Sequence, residues 1–349
     1  MARSNIYAGV AGNFARPNEP GLVGVFRRSA GEAGWTHVLR DLEAFTVCVH
    51  PRNADMVFAG TADGVWRSLD RGATFQRTAF PDHGVQIWSI MPDPADPHLV
   101  FAGGSPVSVY RSADGGQSWT RMPDPGTADR AKMPFACRVM RFAANPLNSG
   151  EIYAALEVNG VMRSTDAAES WTDCSGDLIR HAQDDPQLRS KIVSDTENEG
   201  MLDAHAVCST PAAPDAVVAA VRMGLFRTAD HGATWQNMQV GRFSPFTYAR
   251  DIRASPQQPT TLYACLSVAA SSGDGGLFRS RDLGQSWERF DKVRPHGTLM
   301  SVALHQADPD QVYVAARYGE VFGTPDGGAT WEEMPLPAGV KDVYALACG

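Results

Sequence analysis

Long apolar runs are missing from this sequence of 349 residues, and none approaches the roughly 18 residues that a membrane-spanning helix needs. The N-terminal stretch MARSNIYAGVAGNF lacks the apolar core and small-residue cleavage site of a secretory signal peptide. Runs of Lys or Arg are also missing, and the formal net charge is −8. We therefore expect a cytoplasmic protein whose partners are neither membranes nor nucleic acid.

Cysteine is scarce and scattered. The six cysteines show no Cys-x-x-Cys spacing and no zinc-like grouping, and most lie in segments rich in Val, Ala and Leu. Such cysteines usually act as small buried hydrophobic residues, so we expect them to be reduced. A phosphate-binding glycine loop and a nucleophile elbow are absent as well, so no local motif identifies a reaction.

A repeated motif dominates what is present. The stretch VYRSADGGQSWTRM (109–122) contains Ser112-x-Asp114-x-Gly116-x-Ser118-Trp119. Six copies place their aspartates at Asp70, Asp114, Asp166, Asp230, Asp282 and Asp326. The steps between them are 44, 52, 64, 52 and 44 residues, and each unit holds four short runs rich in Val, Phe and Trp between turns. This pattern predicts the blades of a β-propeller.

The two ends of the chain complete each other. VYALACG, the last segment, matches the first strand of a blade but has nothing after it. Near the N-terminus, NIYAG, GVFRRS and GWTHV match the second, third and fourth strands. We therefore predict an all-β fold, a seven-bladed propeller over residues 1–349 as a single domain, closed when the C-terminal strand joins the N-terminal blade.

The six motif copies resemble the Asp-box (BNR) repeat of the sialidase-like propellers. The physical interpretation is structural: Ser/Thr and Asp bond local backbone N–H groups, Gly supplies a positive φ, and the aromatic residue buries between blades. One copy departs from this pattern, because Ala168 stands where Gly is expected. Because catalysis by these carboxylates would need six active sites, we predict that they only shape turns.

This resemblance covers nearly the whole chain but implies no single activity. Sialidases, xyloglucanases, sortilin-type receptors and the photosystem II assembly factor share such propellers. The sialidase Phe-Arg-Ile-Pro signature is missing, as is a second ring for a xyloglucanase cleft, so neither catalytic set is carried over to this chain. The sequence is most similar overall to single-ring bacterial proteins likened to the assembly factor, a functionally mixed group.

Insertions concentrate on the face opposite the Asp-box turns, which favours that face for binding. The longest is residues 174–203, which is predicted either to cover the central funnel as a lid or to dock a partner. Others are 10–21, 120–136 and 267–276. A tolerance of loop growth alone would give the same asymmetry.

Aligned blades predict which side chains line the funnel on that face. The predicted ligand-binding residues are Arg138, Arg222, Arg250, Arg317, Tyr318 and Trp88. Four arginines from four blades favour a carboxylate or phosphate ligand, because guanidinium groups bind such oxyanions through two parallel hydrogen bonds. The alternative is that each arginine pairs with an acid such as Glu157, Asp203 or Asp251 and only stiffens the rim.

The predicted catalytic residues are His205, Tyr248, Glu157 and Asp203. His205 opens an inner strand beside acids, which suits proton transfer, although a buried structural histidine is an equal alternative. His83, His181 and His296 lie in loops on the same face, so a divalent metal shared with His205 is a further alternative without supporting spacing. Cofactors are otherwise unknown.

Two functions follow. The first is a cytosolic hydrolase or lyase that acts on a small anionic, carboxylate-bearing molecule in the funnel. The second is a non-enzymatic assembly or interaction module that holds an acidic peptide or protein partner on the same arginine-rich face.

Overall fold

The computed structural model describes residues 4–12, 21–126, 130–340 and 342–349. They form seven antiparallel sheets of four strands, arranged as a ring. The apolar runs become strands because β-branched and aromatic residues alternate there between Gly-, Asp- and Pro-rich turns. The prediction of an all-β, seven-bladed propeller is confirmed.

Each blade contributes strands at four distances from the ring axis. The innermost strands are Ala44–His50, Gln86–Pro92, Val139–Ala144, Ala204–Thr210, Tyr248–Ala254, Leu299–Leu304 and Asp342–Cys348. The second strands are Asn5–Ala11, Asn53–Thr61, Val100–Ser105, Ile152–Leu156, Ala213–Val221, Leu262–Ser267 and Val312–Ala316. The third strands are Gly24–Ser29, Gly64–Ser68, Ser108–Ser112, Gly160–Ser164, Gly224–Thr228, Gly275–Ser280 and Val321–Thr324. The fourth strands are Thr36–Arg40, Gln76–Arg77, Thr120–Met122, Thr172–Asp173, Gln236–Asn237, Glu288–Arg289 and Glu332–Glu333.

Ring closure follows the predicted scheme. The C-terminal strand Asp342–Cys348 pairs antiparallel with Asn5–Ala11, with Ile6 opposite Cys348 and Ala11 opposite Asp342. That blade therefore contains both ends of the chain, and its inner strand has a partner on the second strand like every other blade.

The fourth strands are shorter than the sequence indicates. The segment FQRTAF (75–80) reads as a six-residue strand, but only Gln76–Arg77 pairs with the third strand. Five of the seven fourth strands contain two residues. Short outer strands leave little unpaired backbone at the rim of the ring, which limits edge-to-edge association.

The Asp-box turns have the predicted geometry. Ser112 Oγ accepts from the Gly116 N–H at 2.8 Å and donates to Asp114 at 2.7 Å. Asp114 also accepts from the backbone N–H and hydroxyl of Ser118, at 2.9 and 2.6 Å. Burial would raise the pKa of Asp114, but these hydrogen bonds outweigh it and lower the pKa to about 2. The carboxylate is thus committed to the turn, as the structural interpretation requires.

Apolar clusters lie between adjacent blades. One cluster joins Phe58, Ile87, Tyr110 and Trp119, and the Trp119 indole donates to Thr78 Oγ1 of the preceding blade at 3.1 Å. Full burial of the motif aromatic is confirmed for two copies, whose side chains are Trp119 and Trp235. In the other four copies the aromatic is only half-buried; these residues are Phe75, Trp171, Trp287 and Trp331.

The insertion 174–203 is rooted in the core rather than laid over the surface. It contains the α-helix Gly176–Asp184, the 3₁₀ turn Pro186–Leu188 and the short helix Glu199–Leu202. Leu178 and Met201 are fully buried in the cluster that also holds Phe226 and Trp235 of the next blade. DLIRHAQ (177–183) lies within the α-helix, whereas PQLRSKIV (186–193) is helical only over its first three residues.

A β-bulge interrupts every inner strand near its start. In each pairing register one inner-strand residue has no partner on the second strand. These seven bulged residues are Phe45, Trp88, Met140, His205, Arg250, Met300 and Tyr344. A bulge re-aims the side chain of its extra residue. All seven side chains line a small axial cavity of about 10 Å³ and so nearly close the centre of the ring.

Candidate functional site

A cavity of about 550 Å³ lies above this constriction, where the inner strands begin and the second strands end. The Asp-box turns follow the third strands and lie at the opposite ends of the same sheets. All ten residues predicted for ligand binding or catalysis line this cavity. The structure therefore brings them together as one site, while their individual roles stay predictions.

Three of the four arginines are paired with carboxylates. Arg138 Nε lies 2.5 Å from Glu157 Oε2, at an angle outside that of a hydrogen bond, and Arg317 Nη1 donates to Asp342 at 2.6 Å. Arg222 donates to Asp203 through Nε and Nη2, at 3.0 and 2.6 Å. For these three the alternative of rim-stiffening ion pairs is the one that the geometry supports.

Blade register explains these pairs. In four blades the residue that follows the second strand lies beside the residue that precedes the inner strand, as the backbone bonds from Glu157 N to Arg138 O and from Arg222 N to Asp203 O show. Two blades put an acid and an arginine at those positions. Arg317 faces Thr298 there, so its guanidinium turns to Asp342 of the neighbouring blade.

Arg250 differs from the other three. Among the described residues it makes no hydrogen bond and has no carboxylate within ion-pair distance, although its half-buried side chain lines the cavity. The prediction of an anionic ligand therefore depends on Arg250. A guanidinium without a counter-ion inside a cavity can bind an anion that supplies two acceptors through parallel hydrogen bonds.

His205 connects the arginine pairs to a tyrosine. Its Nδ1 lies 2.7 Å from the Ala249 carbonyl oxygen, which can only accept, so Nδ1 carries a proton. Its Nε2 lies 3.2 Å from Asp203 and 3.3 Å from the Tyr248 hydroxyl. When protonated, Nε2 donates to Asp203; when not, it accepts from Tyr248. The three residues thus form a chain along which a proton can move.

Two of the carboxyl groups that line the cavity, Glu157 and Asp203, have pKa values displaced in opposite directions. Burial raises the pKa of Glu157 to about 7, with Asp203 adding to the rise while Arg138 and Arg250 oppose it. Burial would also raise the pKa of Asp203, but the His205 ring and the Arg222 guanidinium outweigh it and lower that pKa. Such different environments favour a protonated Glu157, which can act as an acid near neutral pH, and an ionised Asp203.

Glu199 is a site residue that the sequence did not identify. Its fully buried side chain accepts from Arg222 at 3.1 Å through Oε1. Oε2 accepts the backbone N–H groups of residues 192–194 and the Ser194 hydroxyl. The insertion is therefore fastened to the arginine network by one carboxylate. Seven acids occupy this insertion, and nothing in the sequence singles out Glu199 among them.

The cavity mouth is apolar. We call the following residues the apolar rim: Met133, Phe135, Ile192, Val193, Met223 and Val268. Ile192, Val193 and Val268 are 67%, 52% and 60% exposed, and Tyr318 beside them is 42% exposed. Of the seven exposed large hydrophobic residues in the described ranges, four thus surround this one opening. The predicted insertions 10–21 and 120–136 lie partly outside the described residues, at 13–20 and 127–129.

The histidines proposed to share a metal are not brought together. His83 contacts Arg77, His181 contacts the Trp235 carbonyl, and the highly exposed His296 pairs with Glu320. In the described ranges no group of three His, Cys, Asp or Glu residues is placed to hold a metal ion. Within the same ranges no helix is long and apolar enough to cross a bilayer.

Comparisons with known proteins relate the chain to β-propellers by fold. No family model matches the chain. A xyloglucanase from Paenibacillus sp. is 26% identical over 200 residues, which cover 53% of this chain and 19% of that protein. The xyloglucanase Xgh74A of Acetivibrio thermocellus is 23% identical over 306 residues, covering 74% and 33%. The chain thus spans a third or less of the relatives that it matches.

Solved structures give the same picture. The GH74 xyloglucanase from Xanthomonas campestris superposes with a TM-score of 0.63 at 14% identity, covering 94% of this chain and 46% of that one. YCF48 bound to D1 peptide superposes with a TM-score of 0.51 at 17% identity, covering 83% and 81%. At these identities the likeness establishes the propeller fold, and function has to be argued from the site.

Proposed function

We propose that this protein is a hydrolase for a small carboxylate-bearing molecule that binds in the 550 Å³ cavity. The observation that carries this proposal is the unpaired Arg250 guanidinium beside Glu157, an acid whose pKa is raised to about 7 by burial. A group that titrates near neutral pH can donate and recover a proton within one catalytic cycle. Hydrolysis is also the activity named for the xyloglucanases that the chain resembles in part.

Roles follow from the contacts. Arg250 binds the substrate carboxylate, because it is the guanidinium that no protein carboxylate neutralises among the described residues. Glu157 protonates the leaving group. Water is activated along the chain from Tyr248 through His205 to Asp203, which stays ionised. Arg138 and Arg222 hold the two acids in place, and Trp88 supports Arg138 with its ring centroid 4.0 Å from the guanidinium carbon.

An activity screen with esters, amides and glycosides of small carboxylic acids tests this function. Arg250→Ala should raise KM strongly, whereas Glu157→Gln should lower kcat by roughly 10²–10⁴-fold. Reaction in ¹⁸O-water separates hydrolysis from elimination, since hydrolysis alone puts one ¹⁸O atom into a product. An active wild type whose kinetics are unchanged in both variants would refute the site.

A second function is favoured by the exposed apolar rim and by the peptide complex of YCF48. The same face would hold an acidic peptide with apolar side chains, the peptide carboxylate on Arg250. Arg250→Glu should then abolish a stoichiometric complex with a purified partner, and no turnover should be found in the screen.

We further propose a cytosolic location. All six cysteines are free. Burial raises the pKa of each thiol, to about 11 for Cys48 and Cys137, which makes these groups poor nucleophiles and suits a structural role in a reducing compartment.

A further inference from the structure

We infer that the ligand of this cavity is an amphiphilic monoanion, one carboxylate head on an apolar body of about drug size, rather than a sugar. This inference rests on the proposed function, because it uses the same cavity and the same anion-binding arginine. Two separate features of the cavity support this inference. One is the charge balance of its floor, the arginine-lined end at the axial constriction, and the other is the composition of the apolar rim at its mouth.

The floor accepts one negative charge. Arg222 and Arg317 have carboxylate partners from the protein, Asp203 and Glu199 for Arg222 and Asp342 for Arg317. Arg138 lies beside Glu157, whose raised pKa favours the neutral carboxyl, so the four guanidinium groups face three carboxylates. A second anion at Arg222 or Arg317 would have to displace a buried acid, and Asp342 and Glu199 have no exposed surface at all. Arg250 remains for the ligand, so one monoanionic head is matched and a dianion would be left partly uncompensated.

The mouth accepts an apolar body. Ile192, Val193 and Val268 present aliphatic surface to solvent around the opening, and Met133 and Met223 lie beside them. These aliphatic and thioether side chains offer no hydrogen-bonding partners for hydroxyl groups, and the aromatic rings at the same opening belong to Phe135 and Tyr318. Exposed apolar residues gathered at one opening mark a place where apolar surface is buried on binding.

The positions of the lining residues determine where the carboxylate head and the apolar body of the ligand lie. Arg250 is a bulged residue at the axial constriction, whereas Ile192 and Val193 belong to the insertion and Val268 to the loop after a second strand. The head therefore lies deep and the body points outward. Glu199 fixes the height of residues 192–194 above the floor through its hydrogen bonds to their N–H groups.

Isothermal titration with four probes tests the inference: sodium octanoate, acetate, gluconate and octan-1-ol. Octanoate should bind at least tenfold more tightly than acetate, because each buried methylene adds roughly three- to fourfold, or about 0.8 kcal/mol. Gluconate, a polyhydroxylated monoanion of similar length, should bind no better than acetate. Octan-1-ol should bind at least tenfold more weakly than octanoate.

Variants separate the two parts of the site. Val193→Ser combined with Val268→Ser should weaken octanoate at least fivefold and leave acetate unchanged, while Leu147→Ser, 69% exposed in a turn of the opposite face, is the matched control. Arg250→Gln should weaken both acids tenfold or more. Arg250→Lys, which keeps the charge, should recover part of that loss and so guards against misfolding.

The outcomes distinguish this inference from the proposed function. If acetate and gluconate bind as tightly as octanoate, and Arg250→Gln weakens all three, the inference of an amphiphilic ligand is wrong. The carboxylate-binding site at Arg250 is then still supported. If octan-1-ol binds as tightly as octanoate, the inference that the ligand carries an anionic head is wrong. If no carboxylate binds, or none depends on Arg250, the inference and the proposed function both fail.

Discussion

Wild type should lose stability as the pH rises towards 8, and replacing Glu157 by Gln should remove this loss. Burial raises the pKa of Glu157 from its usual 4.5 to about 7, so the folded protein prefers the neutral carboxyl. This contribution is fully present below pH 4.5 and is lost as the pH rises through 7. Gln keeps the shape of the neutral acid at every pH. Wild type should therefore lose stability relative to Glu157→Gln between pH 4.5 and 8.

The size of the effect follows from the displacement of the pKa. The carboxyl is 18% exposed and faces Arg138, so we take about 2–3 kcal/mol over that pH range. A chain of 349 residues has an unfolding entropy near 0.7 kcal/mol per degree, at roughly 2.1 cal/mol/K per residue. The melting temperature of Glu157→Gln should thus rise by about 3–4 °C relative to wild type across the range.

Differential scanning fluorimetry at pH 4.5, 6, 7 and 8 measures this, and Glu151→Gln is the matched control. Burial would raise the pKa of Glu151, but hydrogen bonds from Arg163, Asn148 and Tyr153 outweigh it and lower the pKa. Its stabilising contribution is present above pH 4.5 and is lost only as the pH falls below that value, so the melting temperature of its variant should stay at a nearly constant distance from wild type over the measured range. A difference in melting temperature between Glu157→Gln and wild type that stays constant with pH would refute the reasoning. The same pH trend of this difference in both variants would also refute it.

Three further changes test other parts of the structure. Glu199→Ala should speed amide hydrogen exchange at residues 192–194 at least tenfold with little change in melting temperature, because their shared acceptor is lost. Gly116→Ala should cost more than about 2 kcal/mol by chemical denaturation, since a Cβ there would lie 2.4 Å from the Phe58 ring at a φ of 78°. Ala168→Gly, at a φ of 73°, should change stability by less than about 1 kcal/mol, because relieved strain offsets lost packing.

The sequence predicts the fold because the repeated motif shows which residues occupy equivalent positions in successive blades. Six aspartates in equivalent turns fix where each blade begins, and the same count identifies equivalent inner-strand residues such as His205 and Arg250. The short outer strands escaped prediction, because FQRTAF has strand composition whether or not a partner lies beside it. Composition sets strand propensity, while pairing is decided by tertiary contacts.

Only part of the pairing at the site was predicted from the sequence. The alternative of ion pairs named Glu157 and Asp203, and Arg138 and Arg222 do meet these acids of their own blade. Arg317 instead pairs with Asp342 of the next blade, a contact that depends on side-chain direction. Glu199 lies in an insertion without a repeat equivalent, so no alignment of blades could place it.

The bulges explain why the unpaired charge is at Arg250 and not elsewhere. A bulged residue has no residue opposite it on the second strand, and its side chain can instead contact the residue two positions earlier, as His205 contacts Asp203. At Arg250 that position holds Tyr248, and the bulged neighbours on either side, His205 and Met300, are not acids. Among the described residues Arg250 is thus a charged bulged residue without an ion-pair partner, and this supports the proposed carboxylate ligand.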